Sequence, residues 1–297
     1  MKTLITLIRR EFWEHRALWV VPLIVAAVLI LSAGVGTISI GPHVQIQLDG
    51  EGREFLQSLT PEKRASIFGI VTGAMLVPQL IALLIIVSIY VLDCLYAERK
   101  DRSILFWKSL PVSDLETVAS KALVALLAVP LLAYTVSAVT SIVCYAVLAA
   151  RFAGTPLAGV APWDTAMWLR TQALLFADLI IAGLWYAPVV AVLLVASAWA
   201  RRSVYLWVTL VPPLTMFVER QVFGTRHVAE FVGYRLGGFF RQLRHTGVSD
   251  EAVRLKALYE HLDATPLLLN PDLWLGVVAA GALLWLAARI RRYRDET

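Results

Sequence analysis

Charge is scarce in this chain. Of its 297 residues 16% are Asp, Glu, Lys or Arg, against roughly 25% in ordinary soluble domains, while 59% are hydrophobic. That balance excludes a soluble globular fold and points to an integral membrane protein. Cysteine is also sparse, with Cys94 and Cys144 falling at opposite ends of two different apolar runs. Thiols on opposite sides of a bilayer form neither a disulfide nor a metal site. The sequence contains no G-x-x-x-x-G-K-[ST], so the chain cannot by itself cradle nucleotide phosphates. It has no H-E-x-x-H and no G-x-S-x-G, and its histidines (His15, His43, His227, His245, His261) are scattered. These absences argue against an autonomous enzyme, a protease or an esterase. Internal repeats, low-complexity runs and a separate soluble domain are missing too, so residues 1–297 read as one membrane domain.

What the sequence does have is length of apolar run. About 20 apolar residues cross the ~30 Å hydrocarbon layer as a helix, the conformation that pairs every backbone amide internally. Six segments approach that length: 17–40, 68–92, 119–149, 171–199, 203–222 and 273–290. The expected fold is therefore all-α, polytopic, with six transmembrane helices. Before the first span, Leu4, Ile5, Ile8 and Phe12 fall on one side of a helical wheel and Lys2, Thr6, Arg9 and Arg10 on the other. This is the pattern of an interfacial helix over 1–16. A signal peptide is the alternative, but Glu11, Phe12, Trp13 and Glu14 are residues that a basic leader does not need.

Basic residues orient the spans. With the N-terminus inside, the inner ends carry fifteen basic residues against nine acids, while the outer loops are balanced. Both termini are expected in the cytoplasm. Outside, Thr60-Pro61-Glu62 reads as a cap, a first-turn proline and a first-turn acid leading into the second span. The longest hydrophilic region, 223–271, lies between spans five and six and reads as an outer or re-entrant helical segment. Within it, Ser249 caps a helix whose Leu255, Leu258, Tyr259 and Leu262 share a face.

Two features inside the spans invite a functional reading. Asp178 is the one acid deep in an apolar run, and either lines a transport path or hydrogen-bonds a neighbouring helix. Pro22, Pro78, Pro130, Pro188, Pro212 and Pro213 each remove a backbone hydrogen bond. They serve as gate hinges or static kinks, and the Pro212-Pro213 pair is expected to break span five at its middle.

The inner loop over 93–118 is the most informative stretch. Its charged run Glu98, Arg99, Lys100, Asp101, Arg102 is followed by Ser103, which can cap a short helix over ILFWKSL that ends before Pro111. Ser113-Asp114-Leu115-Glu116 then matches the S-x-x-E capping box that launches span three. Ile104, Leu105, Phe106 and Trp107 cover more than one side of the short helix. Burying one face in the membrane leaves apolar groups toward the cytosol, a surface suited to a partner protein. The alternative is a helix sunk wholly among lipid headgroups.

ERKDRSILFWKSLPVSD, with Lys121 after it, resembles the loop between spans two and three of type 2 ABC transporter permeases, the exporter-class membrane subunits. The likeness extends to the interfacial helix, the six spans, the long outer segment and the C-terminal PDLWLGV…RIRRYRDE. It implies that Glu98, Arg99, Lys100, Asp101, Arg102, Ile104, Leu105, Phe106, Trp107 and Leu110 dock on a separate ATPase, with Arg9, Arg10 and Glu14 as a second contact. It further implies a homodimer served by two ATPase copies in a bacterial inner membrane. ATP and Mg would be bound by the partner, and neither a cofactor nor a nucleic acid by this chain. The expected function is ATP-driven export of a hydrophobic or amphipathic compound, with Asp178, Pro212 and Pro213 along the path or gate. A motor-driven scaffold that moves an outer partner without transport is the alternative, and a secondary carrier a third.

Overall fold

The computed structural model describes residues 2–35, 38–39, 45–46, 71–104, 109, 111–153, 163–201, 203–242 and 265–293. Helix α1 runs Lys2–Glu14 and α2 Ala17–Val35, followed by a two-residue antiparallel pair, β1 (Ile38–Ser39) and β2 (Gln45–Ile46). Helix α3 spans Leu76–Lys100. Helix α4 begins as Asp114–Leu123, widens into a π-helical turn over Val124–Ala128 and resumes as Val129–Phe152. Then come α5 (Thr165–Trp199), α6 (Val204–Val218), a π-helical turn at Glu219–Phe223, α7 (His227–Gln242), a 3-10 turn at Thr265–Leu269 and α8 (Pro271–Tyr293).

Apart from the two-residue strands, the described fold is all-helical. Five of its helices are long and apolar enough to cross a membrane: Ala17–Val35, Val71–Lys100, Asp114–Arg151, Thr165–Trp199 and Pro271–Tyr293. Their outward faces expose Leu31, Leu84, Val278 and other large apolar side chains, as lipid contact allows. The expected fifth span corresponds to α6, which has 15 residues, about 22 Å at helical rise. It buries Val204 alone, and its Leu206, Leu210, Leu214 and Phe217 are exposed.

The Pro212-Pro213 break expected at mid-span does not occur, for α6 is continuous from Val204 to Val218. The prolines withhold donors from the carbonyls one turn back, but the rest of the ladder holds, with the Thr209 and Thr215 hydroxyls donating to the carbonyls of Tyr205 and Pro212. The first departure from α-geometry is the π turn beyond Val218. Pro130 behaves differently. It cannot donate to the carbonyl of Leu126, and the ladder widens into the π turn just ahead of it. Gly183 on α5 faces that carbonyl so closely that a Cβ there would lie 3.0 Å from the oxygen, so a larger residue would have to push the two backbones apart.

Three buried apolar clusters organise the described bundle: a small one of Leu92 of α3 with Ala200, just after α5, and Val204, the first residue of α6, and two more extensive cores. The larger joins Leu18 of α2, Val87, Val91 and Leu95 of α3, Val118, Ala122 and Ala125 of α4, Val190 and Leu194 of α5, and Ala287 and Ala288 of α8, with Ile8 and Phe12 of α1 packed on its edge. The smaller gathers Ile181 and Trp185 of α5, Phe239 of α7, Leu267, and Leu273 of α8. Helices α5 and α8 form the most extensive pairing among the described elements. Buried Gln79 of α3 donates to the carbonyl of Pro22 at 3.0 Å, tying α3 to α2 where apolar packing alone would leave the helices free to slide.

Helix α7 lies beside the spans. Trp185 sits about 21 Å before the end of α5 at Trp199, well inside that helix. Its indole donates to the carbonyl of Arg235 at 2.9 Å, Tyr186 donates to that of Leu236, and the Arg235 guanidinium stacks 4.8 Å from the Trp185 ring. The expected caps at Thr60 and Ser249, the helix over 249–262, and Leu105, Phe106, Trp107 and Leu110 lie outside the described residues.

Candidate functional site

At one end of the bundle the helices converge on a cluster of buried charge. Helix α1 places Leu7 and Glu11, one turn apart, on its inner side, while Ile5 and Trp13 face outward. The buried stripe is thus rotated from the one read on the wheel, where Ile5 belonged to it. Glu11 reaches two partners from α4 and α3: its Oε1 accepts from Lys121 Nζ at 2.8 Å and its Oε2 from the Tyr90 hydroxyl at 2.8 Å. Lys121 also lies 3.1 Å from Glu98 Oε1, and the side chains of Lys121 and Glu11 are each 1% exposed. Charges this deep persist only when paired and hydrogen-bonded.

Glu98, near the end of α3, is the hub. Its Oε1 accepts from Arg10 Nη2 at 3.0 Å and its Oε2 from Arg291 Nη2 at 3.0 Å. Arg291 turns its other terminal nitrogen to Asp114, the first residue of α4. Arg10 further holds Glu14 through a two-point contact at 2.7 and 3.0 Å. Three cations and three buried or half-buried carboxylates therefore join α1, α3, α4 and α8 in one network. Glu11, Glu14 and His15 offer ligand atoms within 4.8 Å of one another. Both Glu11 oxygens are already engaged, one by the Lys121 ammonium and one by the Tyr90 hydroxyl.

The loop between α3 and α4 rises from this network. Ser113 caps α4: its hydroxyl accepts from the Glu116 amide and the Glu116 carboxylate accepts from the Ser113 amide at 2.9 Å, the capping box read from the sequence. Ser103 donates backward to the Glu98 carbonyl at 3.3 Å, and the amides its expected forward cap would take lie outside the described residues. Arg102 holds φ +57°, a left-handed conformation that costs a non-glycine residue about 1 kcal/mol or more and persists only where its surroundings fix it.

The residues singled out in the sequence separate here into two sets. Lys100, Asp101, Arg102, Arg9 and Glu14 are exposed. Glu98, Arg99 and Ile104 are buried, and Arg10 is half-buried. Arg99 closes the end of α5, donating to the carbonyls of Ser197 at 2.5 Å and Ala200 at 2.9 Å, where helix-terminal carbonyls lack amide donors and the dipole favours a cation. Glu98 and Arg99 thus serve the bundle itself, and the exposed charges at this stem are Lys100, Asp101 and Arg102. Asp178 is buried in α5 and engaged by the surrounding protein. It lies about 32 Å before the end of α5, and Pro212 lies about 12 Å into α6.

Sequence reading missed Glu11, Tyr90, Asp114, Lys121 and Arg291 as parts of a site. The available signal was a carboxylate one turn from Leu7 and a lysine two turns into an apolar helix, each on the side that faces the bundle.

His15 packs edge-on against Tyr90 with ring centroids 4.9 Å apart. Burial pushes its pKa below the usual value, helped by Lys121 and opposed by Glu11, Glu14 and Asp93. The unfolded imidazole takes its proton near pH 6.5 and the folded one resists. The contribution to stability is therefore complete above about pH 6.5 and declines as pH falls from there toward the lowered folded value. Amide protection factors in α1 are expected to drop between pH 7.5 and 5.5, and to drop less in His15→Asn; equal drops in both proteins would contradict this.

Compared with family models, characterised proteins and solved structures, the chain matches none.

Proposed function

We propose that this chain is the membrane subunit of an ATP-driven exporter of the type 2 ABC permease kind, with its loop over 93–118 docked on a separate ATPase. The observation that carries the reading is the seating of that loop: both of its ends are anchored in a buried ion network that also grips α1 and α8. A force on the loop is thereby delivered to four helices at once. An ordinary surface turn needs no such foundation, whereas a coupling element does. The exposed Lys100, Asp101 and Arg102, one of them held left-handed, begin the contact surface, and Leu105, Phe106, Trp107 and Leu110 supply its apolar part.

In this reading α6 completes a set of six spans, the network lies at the cytoplasmic face of a bacterial inner membrane, and both termini are inside. Two copies pair, two ATPases bind, and the cargo is a hydrophobic or amphipathic compound. The exposed apolar faces of α6 support pairing with a second copy. The chain contributes no nucleotide chemistry, and ATP and Mg belong to the partner.

Arg102→Glu and Trp107→Ala are expected to release the ATPase in a pull-down from membranes while leaving insertion of the chain unchanged. Full co-purification in both variants would remove the reading.

A further inference from the structure

Arg291 forms an ion pair with each side of the loop. One terminal nitrogen holds Glu98, at the α3 stem, and the other holds Asp114, at the α4 stem. Glu98 has two further cations, Arg10 and Lys121, but Asp114 pairs with Arg291. The guanidinium is planar and carries its donors in a fixed fork, so it fixes the separation of two carboxylates in a way that an ammonium cannot. The Arg291 side chain is 4% exposed, which leaves little water to screen either contact. Ala287 and Ala288, one turn earlier on α8, sit in the larger core with Val190 and Leu194 of α5. Arg102, just past the α3 stem, holds a left-handed turn.

We propose that Arg291 is a positioning residue. It clamps the two stems of the loop to each other and to α8, so that a displacement of the loop is passed first to α8 and through the α8–α5 seam into the bundle. The role assigned to the displacement rests on the motor-docking reading above; the clamp itself does not. Neutralising one arm loosens one stem, and removing the guanidinium loosens both. Because Glu98 retains two other cations, the α4 stem depends on the clamp more than the α3 stem does.

The test uses the full-length chain in lipid nanodiscs without any ATPase. A nitroxide is attached at Asp101→Cys, reporting the α3 stem, or at Pro111→Cys, reporting the α4 stem. Both native cysteines are buried, which leaves the added thiol as the reactive one. In Asp114→Asn, a mild change at a partly exposed site, the label at 111 is expected to become several-fold more mobile and the label at 101 to stay as in the parent. In Arg291→Met both labels are expected to loosen, the one at 111 more. In Arg291→Lys the label at 111 should remain looser than in the parent, since one ammonium does not bridge both acids in the same geometry. Unchanged mobility at 111 in Asp114→Asn and Arg291→Met would overturn the clamp. Equal loosening at 101 and 111 in Asp114→Asn would overturn it as well, because a general weakening of the fold behaves that way. If the wild-type chain binds no ATPase, the proposed function fails while these spectra still decide the clamp.

Discussion

Lys121→Met is expected to destabilise the folded chain by about 3 to 5 kcal/mol, the cost of leaving a buried carboxylate without its cation. Glu11 is affected most, since Lys121 is its ion-pair partner and, among the described residues, the Tyr90 hydroxyl is the hydrogen-bond donor left to its side chain. Glu98 keeps Arg10 and Arg291. The double variant Glu11→Gln/Lys121→Met removes both charges together and is expected to regain most of the loss, because a buried pair replaced as a unit is often close to neutral. Thermal unfolding in detergent, followed by tryptophan fluorescence, measures both. If Lys121→Met unfolds like the parent, or the double variant is as unstable as the single one, then the charges are not coupled as the geometry requires.

The second large effect is expected at Trp185. This indole is fully buried, anchors the smaller core and supplies the hydrogen bond that holds the α7 backbone. Trp185→Ala is expected to cost about 3 to 5 kcal/mol, from the cavity and from the lost donor. The loss should be local, with α7 detaching while the network end stays folded, since the two cores share no residue. Gly238→Ala approaches the same contact from the other side. A Cβ there would meet the Trp185 ring at 2.8 Å, and a rigid buried ring cannot give way cheaply, so about 1 to 3 kcal/mol is expected. Hydrogen exchange resolved along the chain distinguishes the two ends: α7 amides should lose protection in both variants and α4 amides near Lys121 in neither. Uniform loss along the chain would mean that the two cores unfold as one.

Part of this was legible in the sequence because it is local. Runs of apolar residues announce helices of membrane-crossing length, and Ser113 followed three residues later by Glu116 announces a helix start that the structure builds as a capping box. The same localness set the limit. Glu98 and Arg99 stand in a charged run beside a loop, which reads as a contact surface, yet each is turned inward, Arg99 to the carbonyls of Ser197 and Ala200 and Glu98 to Arg10, Lys121 and Arg291 on three other helices. Nothing in the neighbouring residues records those partners. The prolines show the same limit in reverse: Pro212-Pro213 is the stronger local signal for a break, but the lone Pro130 is the one directly beside a π turn.

The network also sets an order on the making of the protein. The carboxylate of Glu11 emerges 110 positions before Lys121, and that of Glu98 193 positions before Arg291. During synthesis Glu11 on α1 therefore precedes its cation on α4, while Glu98 follows Arg10 but precedes Arg291. A chain truncated before α8 retains Glu98 and Asp114 without Arg291, so the network is complete only once α8 has been translated.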